Sequence, residues 1–170
     1  GILLYHGLGS GKTCSSIAIA EGIKTEKQIT VLTPASLRAN YIEQLKFCGD
    51  SIYKKNQYWE FINIELQPEH IDTLSNILSL PREFIIKNNG AWLVNVSKPS
   101  NYDTLTLIEK DNLDKQLNQM IRHKYRFINY NGLRKTSLKT LSHDGKINPF
   151  DNQVIIIDEV HNFVSRIVNK

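Results

Sequence analysis

The chain has 170 residues and a mass of 19.5 kDa, enough for one domain with an insertion and one sizeable core. Hydrophobic residues are 41% and charged residues 22%, with nine Gly and five Pro, which excludes a disordered, collagenous or coiled-coil chain. A net charge of +4 leans toward an acidic partner such as nucleic acid, and no run of 18 apolar residues is present to span a membrane.

Ile2 to Tyr5 is a short apolar run without a basic flank or cleavage site. It predicts a buried strand and not a signal peptide. A Gly-rich turn follows, then a helix over Thr13 to Ile23. Gln28 to Thr33 is a β-branched strand stopped by Pro34. Ser36 can N-cap a helix from Leu37 to about Phe47, with Gly49 at its end. Strands alternating with helices imply an α/β fold with a mostly parallel sheet.

From Asp50 to about Asp114 the alternation breaks down. A strand is expected over Tyr58 to Leu66 and a helix over Pro68 to Leu78. Phe84 to Val96 reads as a hairpin turning at Asn88-Asn89-Gly90. A long helix lies within Asn101 to His123. Regularity returns with a strand at Tyr125 to Asn129 and a helix from about Gly132 to Leu141. After a polar loop, Val154 to Ile157 reads as a buried strand. Cys14 and Cys48 make no metal or disulfide pattern and read as reduced thiols of an intracellular protein.

Gly7-Leu8-Gly9-Ser10-Gly11-Lys12-Thr13 sits between a predicted strand and a predicted helix, which is the context a phosphate loop needs. Its glycines let successive N–H groups point at a phosphate, and the helix dipole adds to the attraction. Lys12 would reach the β- and γ-phosphates, and the Thr13 hydroxyl would sit on Mg²⁺. His6 stands where a strict Walker A pattern has Gly, and it reads as a loop-packing residue. At the other end, the strand Val154 to Ile157 delivers Asp158 and Glu159. Asp158 can hold Mg²⁺, and Glu159 can orient and deprotonate a water. His161 reads as a residue near the γ-phosphate. A parallel sheet would bring these carboxylates to the phosphate loop.

Gly-Ser-Gly-Lys-Thr with Asp158-Glu159-Val160-His161, and Thr33-Pro34-Ala35-Ser36-Leu37 after the second strand, resembles motifs I, II and Ia of a superfamily 2 helicase or translocase. Tyr5 to Thr13, Pro34 to Leu37 with Asn40-Tyr41, and Asp158 to Asn162 are similar to the poxvirus-type ATPases of large cytoplasmic DNA viruses. Those include the early transcription factor ATPase subunit and nucleoside triphosphatase I. A composition rich in Ile, Asn and Lys is compatible with that source.

The resemblance implies a RecA-like P-loop NTPase lobe with an α+β insertion at about 50–115. Lys12 and Asp158 are 146 positions apart, more than a minimal lobe needs. It implies ATP and Mg²⁺ as cofactors and DNA or RNA as partner. A second RecA-like lobe of the same parent chain is expected, with possible ties to transcription machinery and no membrane role. The chain reads as a fragment cut at both ends and close to inactive alone. Its setting would be intracellular, in cytoplasm or virion.

Two other classes are open. One is a P-loop ATPase that remodels proteins, which nucleic acid would not stimulate. The other is a non-catalytic scaffold lobe, against which Lys12, Thr13, Asp158 and Glu159 argue. Between Asp114 and Asp144 lie seven cations and no acid. Of these, Arg134, Lys135 and Lys139, with Thr33 and Pro34 of the motif Ia stretch, are the expected nucleic-acid contacts.

Overall fold

The computed structural model describes residues 1–5, 9–23, 27–65 and 68–168, and of Arg166 and Ile167 the main chain alone. In chain order the elements are α1 (Lys12–Gly22), β1 (Ile29–Thr33), α2 (Arg38–Cys48), β2 (Trp59–Asn63), α3 (His70–Leu78), α4 (Arg82–Lys87), β3 (Gly90–Val94), α5 (Leu107–Lys124), β4 (Tyr125–Asn129), α6 (Lys135–Leu141), β5 (Val154–Ile157) and α7 (Val160–Val168). The chain is a mixed α/β protein. Its contacts divide it into two units: Gly1–Gln44 with Lys124–Lys170, and Leu45–His123.

The discontinuous unit is built on a three-stranded parallel sheet in the order β4-β1-β5. Every residue of β1 is buried, as a β-branched central strand paired on both sides should be. Burying a side chain such as Ile29 or Val31 stabilises by about 1.5–3 kcal/mol. The Thr30 hydroxyl, also buried, donates to Gln153 Oε1 at 2.5 Å. On α1, Ile17 and Ala20 stand three apart on one face, and both are buried. Tyr125 and Phe127, two apart on β4, stack at 6.4 Å. Tyr41 of α2 meets Phe127 edge-on at 5.9 Å.

Four sequence expectations change here, three of them within this unit. Residues 1–5 form no ladder, and Ile2, Leu3 and Tyr5 are exposed. An apolar run needs a neighbour to become a strand, and no described residue pairs with it. β5 is an edge strand and not a buried one: Ile155 and Ile157, on one face, are each 38% exposed. Ser36 lies inside a 3-10 turn, Ala35–Leu37, so α2 begins only at Arg38. Neither cysteine is free, so the reading of two reduced thiols does not hold.

The continuous unit holds an antiparallel pair, β2 with β3, and helices α3 and α4 pack against each other. The expected hairpin over Phe84 to Val96 does not form. Pro81 starts α4, with Glu83 in its first turn, and Asn88-Asn89-Gly90 ends it. Asn89 takes the left-handed conformation (φ 54°) that closes a helix as readily as it turns a hairpin. Gly90 (φ 150°) then enters β3, where a Cβ would lie 2.1 Å from the Ile62 carbonyl oxygen. The close approach and the backbone angle both require glycine.

Both outer edges of this pair are closed by side-chain amides. Asn101 accepts from Trp59 N at 2.8 Å and donates to Trp59 O at 3.0 Å. Gln116, 1% exposed, accepts from Trp92 N and donates to Trp92 O, both at 2.7 Å. Each amide presents one donor and one acceptor, as a neighbouring strand would. Lys46 is buried against Asp114 (2.7 Å), which also pairs with Lys55 (2.8 Å). Burial alone would raise the Asp114 carboxyl, but the two lysines together hold it below the usual range.

Candidate nucleotide site

The start of α1 is shaped by two glycines in the left-handed region, Gly9 (φ 74°) and Gly11 (φ 77°). Gly11 is the N-cap, and its carbonyl accepts the first helical bond from Ser15 N at 2.9 Å. No side chain caps this end, so the first N–H groups of α1 are not occupied by a capping side chain. Ser10 precedes the N-cap, and Lys12 and Thr13 are the first two helical residues, both half-buried. His6, Gly7 and Leu8 of the expected phosphate loop lie outside the described residues.

Parallel pairing carries the other half of the site. β5 runs beside β1 to the Leu32–Ile157 register position, and the Asp158 N–H still donates to Leu32 O at 2.9 Å. Asp158 therefore emerges beside Thr33, whose hydroxyl donates to Asp158 Oδ2 at 3.3 Å. Burial raises the Asp158 carboxyl above its usual range. The Thr33 bond opposes that shift, the Glu159 charge adds to it, and the Lys12 charge opposes it.

A cavity of about 220 Å³ is lined by Lys12, Ser16, Asp158, Glu159 and His161, with Leu3 to Tyr5 and Ile156 to Val160. The chain thus brings Lys12 together with both carboxylates. His161 Nδ1 stands 3.3 Å from Glu159 Oε2, with the imidazole mostly exposed. Ser16 donates to Thr13 O at 2.8 Å. Its single hydrogen being used there, Ser16 accepts from the Tyr41 hydroxyl at 3.0 Å. Burial pushes the Tyr41 hydroxyl well above its ordinary range.

The expected nucleic-acid residues separate. Thr33 and Pro34 are both buried, and the Thr33 hydroxyl is turned to Asp158. The neighbouring surface belongs to Ala35, Ser36 and Asn40. Arg134, Lys135 and Lys139 are exposed at the start of α6 and along it, following β4. Lys115 and Arg122 belong to the other unit, and Lys115 pairs with Asp111 at 2.5 Å. The seven cations are thus divided between the two units.

Sequence reasoning did not find Ser16, Tyr130 or the role of Thr33 beside Asp158. Ser16 was reachable, because it stands three residues after Thr13 on the same helical face. Tyr130 stood out only as an aromatic interleaved with the cations between Asp114 and Asp144, and nothing in the sequence signals its bond to the Glu159 carbonyl.

No known protein-family profile matches the chain, and no solved structure matches it. The chain is similar to a protein of Acanthamoeba polyphaga mimivirus named "Putative ATP-dependent RNA helicase", with 28% identity over 166 residues and 97% of this chain covered. The chain spans about a fifth (21%) of the length of that relative. The likeness runs through both units and includes the stretches that carry Lys12, Asp158 and Glu159.

Proposed function

We propose that the chain is the ATP-binding, RecA-like lobe of a DExH-type helicase or translocase of superfamily 2. The observation that carries this reading is the shared cavity. It joins Lys12 at a glycine-bounded helix start to a carboxylate pair 146 positions away. In this reading the N–H groups of the 7–13 loop and Lys12 hold the triphosphate, and His161 lies beside it.

Thr13 and Asp158 would hold Mg²⁺, and the donor set fits. Among the described residues no three His, Cys, Asp or Glu form a cage. Mg²⁺ in nucleotide sites takes one or two protein oxygens plus phosphates and water. A cation would also offset the burial that raises the Asp158 carboxyl. Bound there, the ion would neutralise charge on the phosphates. Glu159 orients the attacking water and accepts its proton. Thr33 keeps Asp158 aimed at the cavity.

Nucleic acid, DNA or RNA, would run along the C-terminal edge of the sheet, past Ala35, Ser36 and the basic start of α6. The unit Leu45–His123 would be the insertion in this lobe, and a second lobe of the parent would complete the site. The motif likeness to poxvirus-type ATPases suggests work in viral transcription or genome handling, inside the infected cell.

The test uses the full-length protein. Lys12→Ala lowers turnover about 10²-fold or more, the usual scale for a preorganised electrostatic contact. Glu159→Gln keeps nucleotide affinity while turnover stops. Turnover above about a tenth of wild type in Lys12→Ala, or normal turnover in Glu159→Gln, would overturn the reading.

A further inference from the structure

Glu159 is the last residue before α7, and its backbone is left-handed (φ 51°). That conformation is unfavourable for a residue with a Cβ. It persists only where the surroundings over-determine it. Two donors converge on the Glu159 carbonyl. The Asn162 N–H reaches it at 2.9 Å and the Tyr130 hydroxyl at 3.3 Å. A carbonyl oxygen has two lone pairs, so both are used, and the peptide plane after Glu159 is fixed. With the Asp158 N–H tied to Leu32 O on the preceding side, holding that plane restricts the direction in which the Glu159 side chain leaves the main chain.

Tyr130 is itself held tightly. It is 3% exposed, and its ring meets Phe163 of α7 edge-on at 5.5 Å. It opens the 3-10 turn Tyr130–Gly132, whose end leads directly to Arg134 and Lys135. Leu133 N donates to Tyr130 O at 3.2 Å, and Ser137 of α6 donates to Gly132 O at 3.5 Å. The hydroxyl that holds Glu159 and the basic helix α6 are thus parts of one short hydrogen-bonded segment.

We infer that Tyr130 is a positioning residue, which holds the left-handed Glu159 in place and links that carboxylate to nucleic acid bound at α6. This rests on the function proposed above and adds to it the element through which the polymer acts on the water-activating group. A polymer drawing on Arg134 and Lys135 would shift or stiffen the turn, and Tyr130 would pass that to Glu159.

The variant is Tyr130→Phe in the full-length protein. It keeps the ring on Phe163 and removes only the hydroxyl. The expected result at saturating nucleic acid is a kcat lowered about 3- to 10-fold, the scale of one lost hydrogen bond. KM for ATP, affinity for nucleic acid and the melting temperature stay at wild-type values. Phe163→Leu, which keeps the hydroxyl and loosens its seat, lowers kcat by a smaller factor. An unchanged kcat in Tyr130→Phe overturns the inference, and so does a loss carried by KM, nucleic-acid affinity or stability. Glu159→Gln, measured alongside, separates the two claims. If it stops turnover while Tyr130→Phe does nothing, the function stands and the Tyr130 role falls. If Glu159→Gln turns over normally, the function itself is wrong.

Discussion

The two units use polar groups in opposite ways. In Leu45–His123 polar side chains close edges and pair charges: Gln116 and Asn101 close the edges of the β2–β3 pair, and Asp114 holds Lys46 and Lys55. Trp92 Nε1, alone among the buried side-chain polar atoms of the described residues, has no partner. Its 9 Lys and Arg nearly balance 10 Asp and Glu. The discontinuous unit carries 12 Lys and Arg against 7 Asp and Glu. It also keeps an edge strand with half-exposed isoleucines, a carboxyl raised by burial and a left-handed glutamate. One unit spends its polar groups on stability. The other stores cost where the proposed chemistry would use it.

The contrast can be broken most directly in the continuous unit. Gln116→Leu leaves the Trp92 N–H and C=O in a buried place without the amide that served both. Stability should fall by about 2–6 kcal/mol, since each of the two abandoned buried groups costs about 1–3. The denaturant midpoint reads this, with turnover per folded molecule unchanged. A loss under about 1 kcal/mol would mean that the amide merely fills space.

A smaller effect of opposite sign is expected at Asp158. Its carboxyl is raised in the folded state, so its favourable contribution is present below the unfolded value and is lost as pH rises through the folded one. At neutral pH the ionised form therefore weighs against the fold. Asp158→Asn should melt higher at pH 7, and should not hydrolyse ATP. The gain should shrink on acidification. A variant that melts lower at pH 7 would show Asp158 to be a structural anchor.

The smallest effect concerns the surplus of positive charge. Arg134→Ala with Lys135→Ala should weaken nucleic-acid binding about equally for all sequences. The salt slope should fall by about 0.7–0.9 per lost contact. Affinity measured against salt concentration decides it, and an unchanged slope would make α6 an ordinary solvated helix.

Strands β1 and β4, the glycine turn before Lys12 and the acids Asp158 and Glu159 were legible because each rests on local pattern, and the parallel sheet expected from strand–helix alternation implied their meeting. β-branched runs mark strands, and glycine turns and acids mark their ends. What escaped the sequence depends on partners far along the chain. Ile2 to Tyr5 has the composition of a strand but pairs with no described residue. Asn88-Asn89-Gly90 suits a hairpin and a helix end equally, and only Pro81 upstream tips it to the latter. Thr33 looked like a surface contact because its motif position was visible and Asp158, 125 residues away, was not. Tyr130 reaches a main-chain carbonyl, and a main-chain acceptor carries no residue identity to read.

The discontinuity of the first unit also orders its assembly in time. Register between β1 and β5 joins Ile29 to Val154, and β1 with β4 joins Ile29 to Tyr125. The β2–β3 pair joins Trp59 to Val94, and Leu45–His123 is complete before β4 begins. Closing a longer loop costs more entropy, and pairings distant in sequence form slowly. On a ribosome, β1 and α1 would wait through the synthesis of a whole intervening unit before β4 and β5 arrive. Folding that unit early shortens the effective loop, so its stability hastens the closure of the sheet that holds the site. A substitution as remote from the cavity as Gln116→Leu would then lower the yield of active protein without touching a catalytic atom.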